Sequence, residues 1–208
     1  VFKTNSTAQL LHTANGRADM ILASMILSNN LAVTNMSTTW PITLGGSISG
    51  TGTVTKGGPG VLILTNANTY SGGTIINAGT LIISNNNALG VGNITFNTAT
   101  SQVAGSTALT LTNRLNQFTG NPTFSAGTLT LASTNAVALG GNRIFFVTNT
   151  TTTVTMYPVI TGVGNSISKS GNGTLILSGT NSYTGGTTLN GGTLGFGTNQ
   201  SLGTGTFT

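Results

Sequence analysis

Acidic residues are almost missing from this 208-residue chain: one Asp or Glu stands against six Lys and Arg, and charged residues make up 3% of the sequence. Ordinary soluble domains carry about 25%. Coiled coils and helical bundles need Glu, Lys, Arg, Ala and Leu in bulk, so this composition excludes a helical architecture. Cysteine is absent, which removes disulfides, thiolate metal ligands and a cysteine nucleophile, and leaves cohesion to the backbone and the core. Long apolar runs are also lacking. The longest, residues 20–27, is far short of the roughly 20 residues of a transmembrane helix. The chain starts at Val1 without Met and shows no basic, apolar and small-residue leader, so either a signal was removed earlier or, the favoured expectation, this is a piece of a longer chain.

What is present is small and polar. The sequence holds 42 Thr, 24 Asn, 18 Ser and 31 Gly, 115 residues of 208, so solubility rests on hydroxyls and amides. Apolar residues still make up 37%, and Val, Ile and Leu fall in short regular clusters, which argues for a buried core and against disorder.

Self-similarity is the main signal. Residues 53–95 align without a gap on 166–208 at a shift of 113, with 20 of 43 positions identical. The matches include Lys56 with Lys169, Leu62-Ile63-Leu64 with Leu175-Ile176-Leu177, and Tyr70-Ser71-Gly72-Gly73-Thr74 with Tyr183-Thr184-Gly185-Gly186-Thr187. A degenerate copy at 109–140 carries Phe118-Thr119-Gly120 in place of Tyr-x-Gly, followed by Asn121-Pro122. The organisation expected is an atypical N-terminal segment or cap at 1–35 and repeats over 36–208.

Within each copy, apolar residues alternate with Thr, Ser or small residues, as in Leu109-Thr110-Leu111 and Val154-Thr155-Met156, and a period of two means strand. Gly and Asn clusters such as Gly57-Gly58-Pro59-Gly60 bound these strands as turns. Equivalent leucines recur every 19 to 20 residues, Leu62 to Leu81, Leu175 to Leu194 and Leu109 to Leu129. That recurrence predicts an all-β, right-handed parallel β-solenoid with coils of about 20 residues, each stacked about 4.8 Å along the axis on the one before. A membrane β-barrel is the first rival, but its strands need about 9 to 11 residues and aromatic girdles. A β-sandwich is the second, and the 19 to 20 residue recurrence argues against it. Before residue 35 the pattern is weakest: Asn15-Gly16 suggests a hairpin turn between Gln9-Leu10-Leu11-His12 and Met20-Ile21-Leu22, while 19–27 equally suits a short helix.

The block from Gly173-Thr174-Leu175-Ile176-Leu177 through Asn181-Ser182-Tyr183-Thr184-Gly185-Gly186-Thr187 to Gly192-Thr193-Leu194 resembles the autotransporter-associated β-strand repeat of secreted bacterial passenger regions. Residues 60–81 fit the same pattern, with Ala67 and Ile75 as departures. The resemblance implies a β-helical fold and an extracellular or cell-surface setting. It implies no reaction.

Reactive side chains are correspondingly scarce. Paired-carboxylate hydrolysis needs two acids, and Asp19 is the one present. A nucleophilic triad would have to combine His12, Asp19 and a serine, and a lone polar residue near a turn is the simpler reading. One His and one Asp fill no zinc site, and the Asp-bearing nonapeptide of calcium β-rolls is missing. The expectation is no catalysis, no metal and no cofactor. Lys3, Arg17, Lys56, Arg114, Arg143 and Lys169 are scattered, so the net charge of +5 does not predict nucleic-acid binding. The glycines near each Tyr lack the Lys and helix of a phosphate cradle. Tyr70, Gly72 and Gly73, Phe118 and Gly120, and Tyr183, Gly185 and Gly186 are therefore expected to form structural corners, each plugged by one ring. Trp40, which precedes a Pro, is likewise expected to pack at a corner.

Two functions follow. The first is a non-catalytic rod, stalk or extracellular filament segment, self-associating end to end or continuing in a longer repeat chain. Gly205, Thr206, Phe207 and Thr208 look like a strand cut in mid-pattern and are the expected assembly residues, because an unpaired edge invites pairing. The second is adhesion, with Thr, Asn and Ser ladders meeting a surface glycan or protein ligand.

Overall fold

The structure is a computed structural model and describes residues 7–13, 16–97, 102–105, 108–113 and 115–208. Alternating apolar residues bounded by Gly and Asn produce twenty-four short strands and no helix among these residues. The first coil holds β1 (Ala8–His12), β2 (Asp19–Ile21) and β3 (Met25–Leu27), and the second β4 (Leu31–Asn35), β5 (Ile42–Leu44) and β6 (Ile48–Gly50). Two-stranded coils follow: β7 (Val54–Gly57) with β8 (Val61–Leu64), then β9 (Thr74–Ile76) with β10 (Thr80–Ile83). The fifth coil is β11 (Ile94–Phe96), β12 (Gln102–Gly105) and β13 (Leu109–Leu111); the sixth is β14 (Leu115–Phe118), β15 (Thr123–Ala126) and β16 (Thr128–Leu131). The seventh is β17 (Val137–Leu139), β18 (Arg143–Val147) and β19 (Thr153–Met156), and the eighth β20 (Ile160–Thr161), β21 (Ile167–Ser170) and β22 (Thr174–Leu177). β23 (Thr187–Leu189) and β24 (Thr193–Phe196) complete the order.

Every strand pairing is parallel and joins a strand to its counterpart one coil away, so the chain is a β-solenoid, as the leucine recurrence predicts. Parallel pairing excludes the up-and-down barrel and the antiparallel sandwich. The first face runs β1-β4-β7-β9-β11-β14-β17-β20 and the second β2-β5-β8-β10-β12-β15-β18-β21-β23. The third face begins with the β3–β6 pair and ends with β13-β16-β19-β22-β24. Coil length varies around a mean of about 21 residues. Inward positions stack like on like in many places, Leu62 on Leu81 and Leu109 on Leu129. Burying one such side chain stabilises by about 1.5–3 kcal/mol relative to exposure.

The two strong repeats do not lie on the same faces. In the first, the leading strands β7 and β8 occupy the first and second faces; in the last, their counterparts β21 and β22 occupy the second and third. At about 21 residues per coil, a shift of 113 is about five and one-third coils. The central copy, β12 and β13 followed by β15 and β16, is in phase with the last one. β11 supplies the extra third of a coil: it continues the first face after β9 and displaces everything after it by one face. The degenerate stretch is held by aromatic packing instead of motif residues, with the Phe118 ring 5.7 Å from Phe96 and 5.0 Å from Phe145.

Near the N-terminus the structure corrects both sequence readings. Residues 19–27 are not helical: Met25 and Leu27 are buried and Ile26 exposed, a period of two that builds β3. Nor do β1 and β2 form a hairpin, because β1 pairs with β4 and β2 with β5, on different faces. Asn15 of the expected turn lies outside the described residues, as do the cations Lys3 and Arg114.

Candidate functional site

The strongest polar features sit at the corners, beginning with two lysines. Val54 faces inward on β7, and strand alternation places Lys56 inward as well, stacked between Val33 and Ile76. Its side chain is 0% exposed. The ammonium donates to the carbonyls of Gly57 and Gly58 at 2.8 Å each and of Ala78, in the following coil, at 3.0 Å. Lys169 repeats the arrangement on Ser170 (3.0 Å), Gly171 (2.8 Å) and Gly191 (3.0 Å). All three protons of each amine are thus used, which satisfies a buried cation without a counter-charge. Burial pulls the Lys56 amine down from 10.5 to about 8 and lowers Lys169 for the same reason. Sequence reasoning counted both only among scattered cations. Their two-residue offset from an inward Val or Ile, at the same place in both copies, was the signal that could have found them.

Where a face lacks a strand, an asparagine replaces it. The amide oxygen of Asn68 accepts from the Ile48 amide at 2.8 Å, and its amide nitrogen donates to the Ala88 carbonyl at 2.7 Å, tying the coil before to the coil after. Asn181 does the same between Ile160 and Ser201, on the first face instead of the third. Two residues on, Tyr70 is 0% exposed and its hydroxyl lies 2.6 Å from the Thr74 hydroxyl, which donates to the Leu89 carbonyl at 3.1 Å. Because Thr74 spends its proton on Leu89, Tyr70 is the donor of the pair. Tyr183, Thr187 and the Leu202 carbonyl repeat the relay at 2.6 and 2.8 Å. Burial raises both phenols. Gly73 and Gly186 take left-handed φ values of 94° and 89°, while Gly72 and Gly185 press against the backbone of Gly52 and Asn165. In the central copy Phe118 fills the same phase as Tyr183 but lies within β14, and Gly120 is not left-handed.

Gly205, Thr206, Phe207 and Thr208 add a further rung on β23: the Thr187 amide donates to Thr206 at 2.9 Å, and Thr208 donates to Thr187 at 3.0 Å. Phe207 is 53% exposed. Trp40 differs from the expectation of a packed corner, being 43% exposed, with its backbone carbonyl accepting from the Asn35 side chain. His12 and Asp19, seven residues apart, meet at 2.5 Å between Nδ1 and Oδ2. No serine or threonine hydroxyl is bonded to His12: among the described residues its Nε2 is buried without a partner. These residues likewise contain no cluster of three or more His, Cys, Asp or Glu and no helix long and apolar enough to cross a membrane.

Two of the three segments that match a known repeat family contain the buried Lys, the bridging Asn and the Tyr-Thr relay. The passenger-associated-transport-repeat family matches residues 54–83, 103–131 and 167–195. Three segments of the chain thus match the passenger-associated-transport repeat. The autotransporter resemblance read from the sequence is therefore borne out, and the first repeat occupies the first and second faces while the other two begin on the second. A similar protein, the adhesin BmaC autotransporter of Brucella suis biovar 1 (strain 1330), is 36% identical over 165 residues, covering 79% of this chain and 4% of that protein. The chain thus spans a small fraction of its relative's length. No solved structure matches it.

Proposed function

We propose that this repeat chain is a non-catalytic rod segment of a secreted or surface-displayed bacterial protein. The observation that carries this reading is the disposition of the polar side chains. Lysines, asparagines and tyrosines that elsewhere do chemistry are spent here on tying one coil to the next. Eight coils at about 4.8 Å make a segment about 40 Å long, lengthened by about 4.8 Å for every further 21 or so residues. End-to-end docking of copies or continuation in a longer chain belongs to the same reading. It is supported by the edge of β1–β3, unpaired among the described residues, and by the apolar core mouth of about 390 Å³ that Leu10, Ile21, Met25 and Leu31 line. Electron microscopy and light scattering of the purified chain test this: rods in multiples of the subunit length are expected, and a uniform monomer at high concentration overturns the docking.

A second reading is adhesion, favoured by the outer third face. Thr128, Thr153, Thr174 and Thr193 form one row there, and Thr110, Thr130 and Thr155 form another. Trp40 and Tyr157, 43% and 57% exposed, add rings of the kind that stack on sugars. Glycan-array binding that is lost in Trp40→Ala or Tyr157→Ala supports it, and silence across the array leaves the rod alone.

A further inference from the structure

Three Asn-Gly pairs stand in the sequence, Asn15-Gly16, Asn172-Gly173 and Asn190-Gly191, and Asn15 lies outside the described residues. An Asn followed by Gly is the least hindered setting for attack of the next backbone nitrogen on the side-chain carbonyl carbon, because Gly has no Cβ in the way and bends freely. The attack needs that nitrogen free and the two atoms brought to about 3–3.5 Å. The fold treats the two described pairs differently.

Asn172 is exposed, but the Gly173 amide donates to the Val147 carbonyl at 2.8 Å. Gly173 is also buried against the coil before, where an added Cβ would stand 2.5 Å from the Asn149 carbonyl oxygen. Its nitrogen is locked. At Asn190, also exposed, neither the side chain nor the Gly191 amide is bonded to another described residue. An added Cβ on Gly191 meets only the Gly171 backbone, at 3.5 and 3.8 Å, so nothing crowds the pair. Nor does the turn require glycine there: φ is not left-handed, and the first copy has Ala78 in the same place, after Asn77. The Asn77 side chain, unlike that of Asn190, is tied down by the Asn97 amide at 2.8 Å.

What the pair touches is the second buried lysine. The Asn190 amide donates to the Lys169 carbonyl at 2.8 Å, and the Gly191 carbonyl accepts from the Lys169 ammonium at 3.0 Å. The peptide unit between these two tethers is the one that reacts.

We propose that Asn190 is a self-modifying site, attacked at its side-chain carbonyl carbon by the Gly191 nitrogen, and that its isoaspartate product unfastens Lys169 from the following coil. The N–Cγ bond forms, the Gly191 amide proton passes to solvent, and the side-chain nitrogen leaves as ammonia. Water then opens the five-membered imide. Opening at the side-chain carbonyl gives aspartate; opening at the backbone carbonyl gives isoaspartate, whose main chain is one methylene longer. In sum, one water is consumed, one ammonia is released and nothing is oxidised or reduced. The extra methylene falls between the two tethers, so the Asn190 amide and the Gly191 carbonyl no longer both reach Lys169. Either product also adds a carboxylate to a chain with one acidic residue.

Ageing the whole folded chain in mildly alkaline buffer and mapping its peptides by mass spectrometry tests this, each conversion adding about one dalton. Asn190 should convert at least about tenfold faster than Asn172 or Asn77, with isoaspartate among the products. In denaturant Asn172 and Asn190, each followed by Gly, should react alike. Gly191→Ala, which installs the residue of the first copy, should slow Asn190 by at least about tenfold. Hydrogen exchange of aged chains should show protection lost over 193–196 and kept over 80–83. Asn190 reacting no faster than Asn172 in the folded chain overturns the site, as does an unchanged rate in Gly191→Ala. Protection over 193–196 that survives in isoaspartate-bearing molecules overturns the release of Lys169. If Gly191→Ala does not fold, the comparison of folded and denatured wild-type chains decides alone.

Discussion

The ammonium of Lys56 lies 3.0 Å from the carbonyl oxygen of Ala78, twenty-two residues on and one coil further along the axis. A buried cation thus does in side-chain form what the β-ladder does in backbone form, and it does so at a corner, where the ladder is interrupted. Lys169 and Gly191 reproduce the contact.

Replacing Lys56 with Met keeps the stem and removes the donor, leaving three carbonyls without a partner. Thermal unfolding should show a loss of about 3 kcal/mol, since each stranded buried group costs about 1–3 kcal/mol and part of this is recovered by water at the corner. An unchanged melting temperature would show that the amine is not engaged.

The same amine sets a pH dependence. Its folded value of about 8 lies below the 10.5 of the free side chain, so between these limits the unfolded chain binds more protons than the folded one. Stability should therefore rise as pH increases through that window, and Lys56→Met should flatten the rise. A wild-type profile that falls between pH 8 and 10.5 contradicts the assignment.

Asn68 supplies one donor and one acceptor to two different coils. Asn68→Ala should cost about 3 kcal/mol by stranding the Ile48 amide and the Ala88 carbonyl. Asn68→Asp keeps the acceptor but sets an oxygen against the Ala88 carbonyl, so chemical denaturation should find it no more stable than the alanine variant.

In the Tyr70–Thr74–Leu89 relay the middle hydroxyl serves both neighbours. Tyr70→Phe should cost about 1 kcal/mol, whereas Thr74→Val should cost about twice that, because it strands a hydroxyl and a carbonyl together. A double-mutant cycle should return a coupling of about 1 kcal/mol, and strict additivity would show the two hydroxyls of the relay to be independent.

Gly73 combines a φ of 94° with a neighbour that would lie 2.6 Å from an added Cβ, the Asn93 carbonyl oxygen. Gly73→Ala should cost about 2 kcal/mol or more, from strain and from the opened contact between coils. Gly57→Ala, where the nearest atom is 3.4 Å away, serves as the tolerant control.

The solenoid was legible because its driving force is local: Leu109-Thr110-Leu111 shows its inward face without knowledge of any neighbour, and Leu62 to Leu81 shows the coil length. The Tyr and Gly groups stood out in the sequence as copies of an unusual residue cluster. Lys56 and Lys169 were not recognised, since a cation is placed outside by default unless its alternation with an inward Val is followed through. The helix or hairpin expected before residue 35 failed for a related reason. Gln9-Leu10-Leu11-His12 and Met25-Ile26-Leu27 lack the repeat motif, and what makes them strands is pairing with β4 and β6.

By itself, then, the sequence determined a stack of parallel coils built from one copied unit and poor in reactive groups, because period-two alternation and a 19 to 20 residue recurrence are properties of neighbours along the chain. Only the tertiary structure decided which face each copy occupies, since one short strand, β11, turns the later repeats by a third of a coil. It alone decided that the one histidine meets the one carboxylate. Both outcomes depend on how the corners between strands bend, and a corner's angle is set by the coil packed beneath it.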